Sequence, residues 1–86
     1  MANATAKQDS VETRVHMVLC DLLLMDALDP DVDLFEEGYL DSMALVNLMM
    51  ALEQEFGIVI APEDLDMEDY RNLERIKAMI SRMQSV

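Results

Sequence analysis

The chain has 86 residues, 52% of them hydrophobic, and a formal net charge of -12. That hydrophobic content argues against a disordered polymer, the length allows one small domain, and the charge disfavours nucleic acid and anionic membrane surfaces as partners because they carry the same sign. With only two Gly and two Pro, turns are few, and an all-α fold is expected over a many-turned β fold.

Residues 1–9 (Met-Ala-Asn-Ala-Thr-Ala-Lys-Gln-Asp) read as a flexible N-terminal tail and residues 10–84 as the single domain. Ser10 is placed to cap a first helix over about 10–27, in which Val11, Val15, Val18, Leu19, Leu22 and Met25 recur at three- and four-residue steps. Leu28-Asp29-Pro30 is expected to end it, because the residue before proline avoids the α region. A long acidic connection, 29–41, follows, with Leu34 and Phe35 as the apolar residues that pin it.

A second helix is predicted from about 42 to 56, with Leu45, Leu48, Met49, Leu52 and Phe56 facing inward and Gly57 just past its end. Ile58-Val59-Ile60 has no partner strand and is expected to pack as a loop. One short helix is predicted within 62–70, and Asn72 caps a last helix carrying Leu73, Ile76, Met79, Ile80 and Met83. The expected architecture is a small four-helix bundle: three main helices, one short one, and a long loop between the first and second.

The distribution of charge says more than its sum. Fifteen Asp and Glu and no Lys or Arg lie between Val15 and Tyr70, while Lys7, Arg14, Arg71, Arg75, Lys77 and Arg82 sit towards the two ends. A field of this kind steers the chain towards basic patches on other proteins. Cys20 is the only cysteine, so an internal disulfide is excluded and a reducing, cytoplasmic setting is expected. The first ten residues show no apolar signal-peptide core, and the run Leu22–Met25 is too short to cross a bilayer.

Few residues suit catalysis. The acidic stretch from Asp29 fails as a calcium loop, since Leu34 and Leu40 stand where the loop needs glycine and a bidentate glutamate. His16 and Cys20 share a helix face, but two ligands do not make a metal site. Ser42, in Gly38-Tyr39-Leu40-Asp41-Ser42-Met43, is the residue that stands out. It falls where the acidic loop gives way to the second helix, whose N-terminus offers free N–H groups and partial positive charge to a phosphate. Met43, Val46 and Met50 form a strip beside the inward face of that helix, which is the pattern of a docking surface.

Asp33-Leu34-Phe35-Glu36-Glu37-Gly38 before Leu40-Asp41-Ser42-Met43, then Met50-Ala51-Leu52-Glu53-Gln54-Glu55-Phe56-Gly57-Ile58, then Asp69-Tyr70-Arg71-Asn72-Leu73, come in the order found in acyl and peptidyl carrier proteins. The chain resembles that phosphopantetheine-binding family over residues 10–84, and most of all its stand-alone aminoacyl and D-alanyl carriers. The resemblance implies that Ser42 receives 4'-phosphopantetheine from coenzyme A through a separate phosphopantetheinyl transferase, and that Asp41 contributes to recognition by that enzyme. It implies an aminoacyl or acyl cargo held as a thioester, loaded by an adenylating ligase or acyltransferase and passed to an acceptor enzyme, in natural-product assembly or cell-wall modification. Docking would fall to Met43, Val46, Met50, Tyr39 and Leu40, and the protein would act as a monomer without catalysis of its own. Fatty-acid carriers bear acidic residues where this chain has Ala44 and Asn47, which favours an aminoacyl cargo. The competing reading is a small acidic interaction module with no prosthetic group.

Overall fold

The computed structural model describes residues 10–84, the side chain of Asp64 excepted. The tail expected over residues 1–9 therefore lies outside the described residues. Those described are all-helical: α1 spans Val11–Leu23, α2 Ser42–Phe56 and α3 Leu73–Gln84, with 3₁₀ turns at Pro62–Asp64 and Met67–Tyr70. Three main helices are as expected, and the short fourth element is divided into two turns. Leu65 and Asp66 between them are extended, and Asp66 starts the second turn by accepting the N–H of Glu68 at 3.0 Å.

Ser10 caps α1, its hydroxyl accepting the N–H of Thr13 at 3.0 Å. The helix does not reach residue 27. It stops at Leu23, and Leu24 takes the left-handed conformation (φ 58, ψ 46). The N–H groups of Leu24 and Met25 both turn back to the carbonyl of Cys20. What ends the helix is tertiary: Leu28 leaves the helical path to enter the core, and its N–H meets His16 Nε2 at 3.1 Å. His16 thus accepts from the chain that follows α1 and lies 3.7 Å from the Cys20 thiol.

Both ends of α2 fall where the sequence places them. Asp41 caps its start and Gly57, at φ 64, closes it by donating to the carbonyl of Glu53. In α3 the side chain of Asn72 accepts the N–H of Arg75 at 2.9 Å. Leu19, Leu48, Leu52, Ile76 and Ile80 from the three helices have no exposed surface, and burying each such side chain contributes roughly 1.5–3 kcal/mol. Ile60 joins them, held by its N–H to Glu53 Oε2 at 2.8 Å, while Val59 points outward.

Tyr70 is buried among these side chains, and its hydroxyl has no hydrogen-bond partner among the described residues. Burial, with Asp69 and Glu53 nearby, pushes its phenol up to about 12. Arg14 fastens α1 to the end of α2, pairing with Glu55 at 3.0 Å, donating to the Glu55 carbonyl at 2.6 Å and lying 4.5 Å over the Phe56 ring. Lys77 of α3 pairs with Glu12 of α1 at 3.3 Å. No helix among the described residues is long and apolar enough to cross a membrane.

Candidate functional site

The segment before Ser42 is built as a succession of turns. Asp33 Oδ1 accepts the N–H groups of Phe35 and Glu36 at 3.0 and 2.9 Å, which folds the chain back on itself. The turn closes with the Glu37 N–H on the Asp33 carbonyl and the Gly38 N–H on that of Phe35. Gly38 then takes φ 80, a conformation that a side chain would strain. Tyr39 and Leu40 both donate to the Leu34 carbonyl, at 2.9 and 3.0 Å.

Leu34 has no exposed surface and Phe35 is half-buried, so both pin the segment as predicted. Asp33 is fixed as well. Its Oδ2 receives Arg71 Nη1 at 2.5 Å, and its carboxyl is held below the usual range first by the Glu36 N–H and then by the Arg71 guanidinium, against partial burial.

Asp41 is extended and its Oδ1 accepts the Ala44 N–H at 2.9 Å, making it the N-cap of α2. Ser42 is the first residue inside the helix and is exposed. The first intrahelical hydrogen bond runs from the Leu45 N–H to the Asp41 carbonyl at 2.8 Å, so the N–H groups of Ser42 and Met43 point out of the helix end as first-turn donors. From Ser42 to Leu52 no side chain is charged. Met43, Val46 and Met50 are 78%, 52% and 54% exposed, on the strip that the sequence places beside the inward face of α2.

Tyr39, four residues before Met43 in the chain, is also exposed. Leu40 is not: it is 4% exposed and belongs to the core, where it holds the end of the acidic segment from inside. An apolar residue next to a functional group can serve either purpose, and here the hydrogen bond to Leu34 turns it inward. Asp29, Asp31, Glu36 and Glu37 remain exposed around the segment.

The bundle thus presents a serine hydroxyl at a helix start, together with exposed carboxylates and an uncharged, exposed apolar strip. The model of the family described as "Phosphopantetheine attachment site" matches residues 13–80. The chain is 36% identical over 76 residues to a D-alanyl carrier protein of Latilactobacillus sakei, covering 86% of this chain and 97% of that one. Another, from Bacillus velezensis, is 32% identical over 69 residues, 78% of this chain and 88% of that one. A third, from Lactococcus lactis subsp. cremoris, is 44% identical over 52 residues, 60% of this chain and 66% of that relative's length. The chain belongs to the phosphopantetheine attachment site family: it is a carrier protein that bears covalent 4'-phosphopantetheine.

The residues present fit the group. A phosphodiester at position 42 would lie at the positive end of α2 beside first-turn N–H groups. The hydroxyl there is exposed and serves no helix N–H as cap, since that task is Asp41's. The apolar strip of Met43, Val46 and Met50 runs on from the same helix end.

Proposed function

We propose that Ser42 is the attachment residue and that this carrier delivers an aminoacyl group, D-alanine first among the candidates, to partner enzymes. The observation that carries the reading is the exposed Ser42 as first residue of α2, with Asp41 supplying the cap. In the transfer from coenzyme A, Ser42 Oγ forms the new bond to phosphorus. The nucleotide portion of coenzyme A leaves, and the hydroxyl proton passes to the transferase. No side chain of this chain is needed as base, so the protein acts as substrate, not enzyme.

The attached arm supplies a thiol that carries the cargo as a thioester. The chain's own residues do the rest. Asp41 adds a negative charge next to the reacting hydroxyl for the transferase to recognise. Met43, Val46 and Met50, with Tyr39 at the edge, offer an apolar seat to loading and acceptor enzymes. The exposed carboxylates of Asp29, Asp31, Glu36 and Glu37 draw basic partner surfaces to the same end. Tethering then raises the local concentration of cargo at a docked active site.

The absence of charge along the exposed strip of α2, with Ala44 and Asn47 at its start, supports an aminoacyl cargo over a fatty acyl one. Names of the similar proteins point the same way, to D-alanine. Both cell-wall modification and natural-product assembly use such a carrier.

Intact mass decides the first part. After incubation with coenzyme A, magnesium and a promiscuous phosphopantetheinyl transferase, the wild type gains one phosphopantetheine and Ser42→Ala gains none. A folded wild type that gains nothing, beside a control carrier that does, refutes the attachment reading and leaves a plain interaction module. The loaded protein is then offered D-alanine, other amino acids and short acids with an adenylating ligase. Acceptance of fatty acyl groups alone would refute the aminoacyl assignment.

A further inference from the structure

We propose that Arg71 and Asp33 are positioning residues for the modification of Ser42, an inference that rests on Ser42 being the attachment residue. The two lie 38 positions apart in sequence, yet Arg71 holds both Asp33 and the next residue, Leu34. Arg71 Nη1 donates to Asp33 Oδ2 at 2.5 Å, and the Arg71 carbonyl accepts the Leu34 N–H at 2.7 Å. One residue thus holds the segment by both its side chain and its backbone. Two hydrogen bonds thus tie residues 33–34 of the segment to Arg71.

The tie is relayed towards the serine. Leu34, held by Arg71, carries on its carbonyl the N–H groups of both Tyr39 and Leu40, and Leu40 is followed directly by the cap residue Asp41. Arg71 is itself anchored at the foot of the second 3₁₀ turn. Its Nε donates to Glu68 Oε1 at 2.9 Å and its Nη2 to Glu68 Oε2, next to the buried Tyr70. The side chains of Asp33 and Arg71 are 22% and 37% exposed, so the pair is partly sheltered from water. The acidic segment is therefore registered against the end of the second 3₁₀ turn, and with it the height at which Asp41 and Ser42 are presented.

Removing the tie leaves the bundle folded but lets the segment leave its presented position. A transferase that needs that position then meets it only part of the time. Apparent affinity falls by the competent fraction while the step after docking is unchanged. The expected result for Asp33→Asn is a KM for the carrier raised roughly tenfold with kcat within about twofold. Asparagine keeps an Oδ1 to accept the Phe35 and Glu36 N–H groups, so the local turn survives and only the link to Arg71 is lost.

Glu68→Gln is the discriminating partner variant. It removes the other negative charge on the same guanidinium but keeps Oε1 to accept from Arg71 Nε, so Arg71 stays anchored. It touches no residue of the acidic segment, and its KM stays within about twofold of wild type. Loading kinetics are measured with coenzyme A and a phosphopantetheinyl transferase, with thermal melts showing each variant folded at the assay temperature. Amide hydrogen exchange at Tyr39 and Leu40 supplies the second readout: faster in Asp33→Asn, unchanged in Glu68→Gln.

An unaltered KM in Asp33→Asn, or equal loss in Glu68→Gln, overturns the inference, the latter by showing a general effect of stability. A wild type that takes no group at all refutes the Ser42 reading and the inference with it. A wild type loaded at Ser42, with Asp33→Asn loaded equally well, overturns the inference alone.

Discussion

Asp41 and Ser42 are neighbours with opposite sensitivities. Asp41→Ala leaves the Ala44 N–H without its side-chain acceptor and should lower stability by about 1 kcal/mol. Ser42→Ala removes a hydroxyl that caps nothing, and a good helix former replaces it, so stability should move by less than about 0.5 kcal/mol. Urea titrations of the unmodified proteins check both. Equal losses would mean that the serine shares the capping. What the sequence did convey at this scale is that Ser42 falls where the acidic segment gives way to the second helix, and Ser42 is indeed the first residue of α2. Leu40 was misread because sequence alone does not tell an apolar residue that faces a partner from one that faces the core.

At the level of elements, α2 was read correctly because both its ends are written in side chains, a carboxylate cap and a glycine. The end of α1 was not. Nothing in Leu22-Leu23-Leu24-Met25 marks a stop, and the helix ends because Leu28 and His16 meet across the turn that follows. Leu24 is held left-handed by that arrangement while 92% exposed. The conformation costs a non-glycine residue roughly 1–2 kcal/mol, of which glycine's greater freedom in the unfolded chain would return about half. Leu24→Gly should therefore raise stability by up to about 1 kcal/mol, read as a higher urea midpoint at an unchanged slope. A lower midpoint would show that the exposed leucine makes a contact the fold depends on.

For the molecule as a whole, charge sets the working range of pH. Asp33 and Glu68 are held below their ordinary values of 3.8 and 4.5, Asp33 chiefly by the Glu36 N–H and then Arg71, Glu68 chiefly by Arg71. Lowered carboxyls stabilise the fold fully above those values, and the contribution is lost as pH falls through the folded ones. Stability should stay level from neutral pH to about 5 and decline below about 4, with a shallower decline in Asp33→Asn. At the alkaline end Tyr70, raised from 10.0 to about 12, stabilises the fold below pH 10 and loses that contribution as pH rises through about 12. Denaturant titrations across pH test both limbs, and an acid limb identical in Asp33→Asn would refute the assignment. The Asp33–Arg71 link was absent from the sequence reading because its partners are far apart in the chain. The one available hint was that Arg71 is the first cation after the long acidic stretch.

The placement of the cap on Asp41, one residue before the serine, has a consequence for signalling between enzymes. Since the hydroxyl bears no part of the helix, esterification at Ser42, as proposed above, would leave the start of α2 with its cap in place. An enzyme that serves only the modified form would then find no change of cap to read and would have to sense the arm itself.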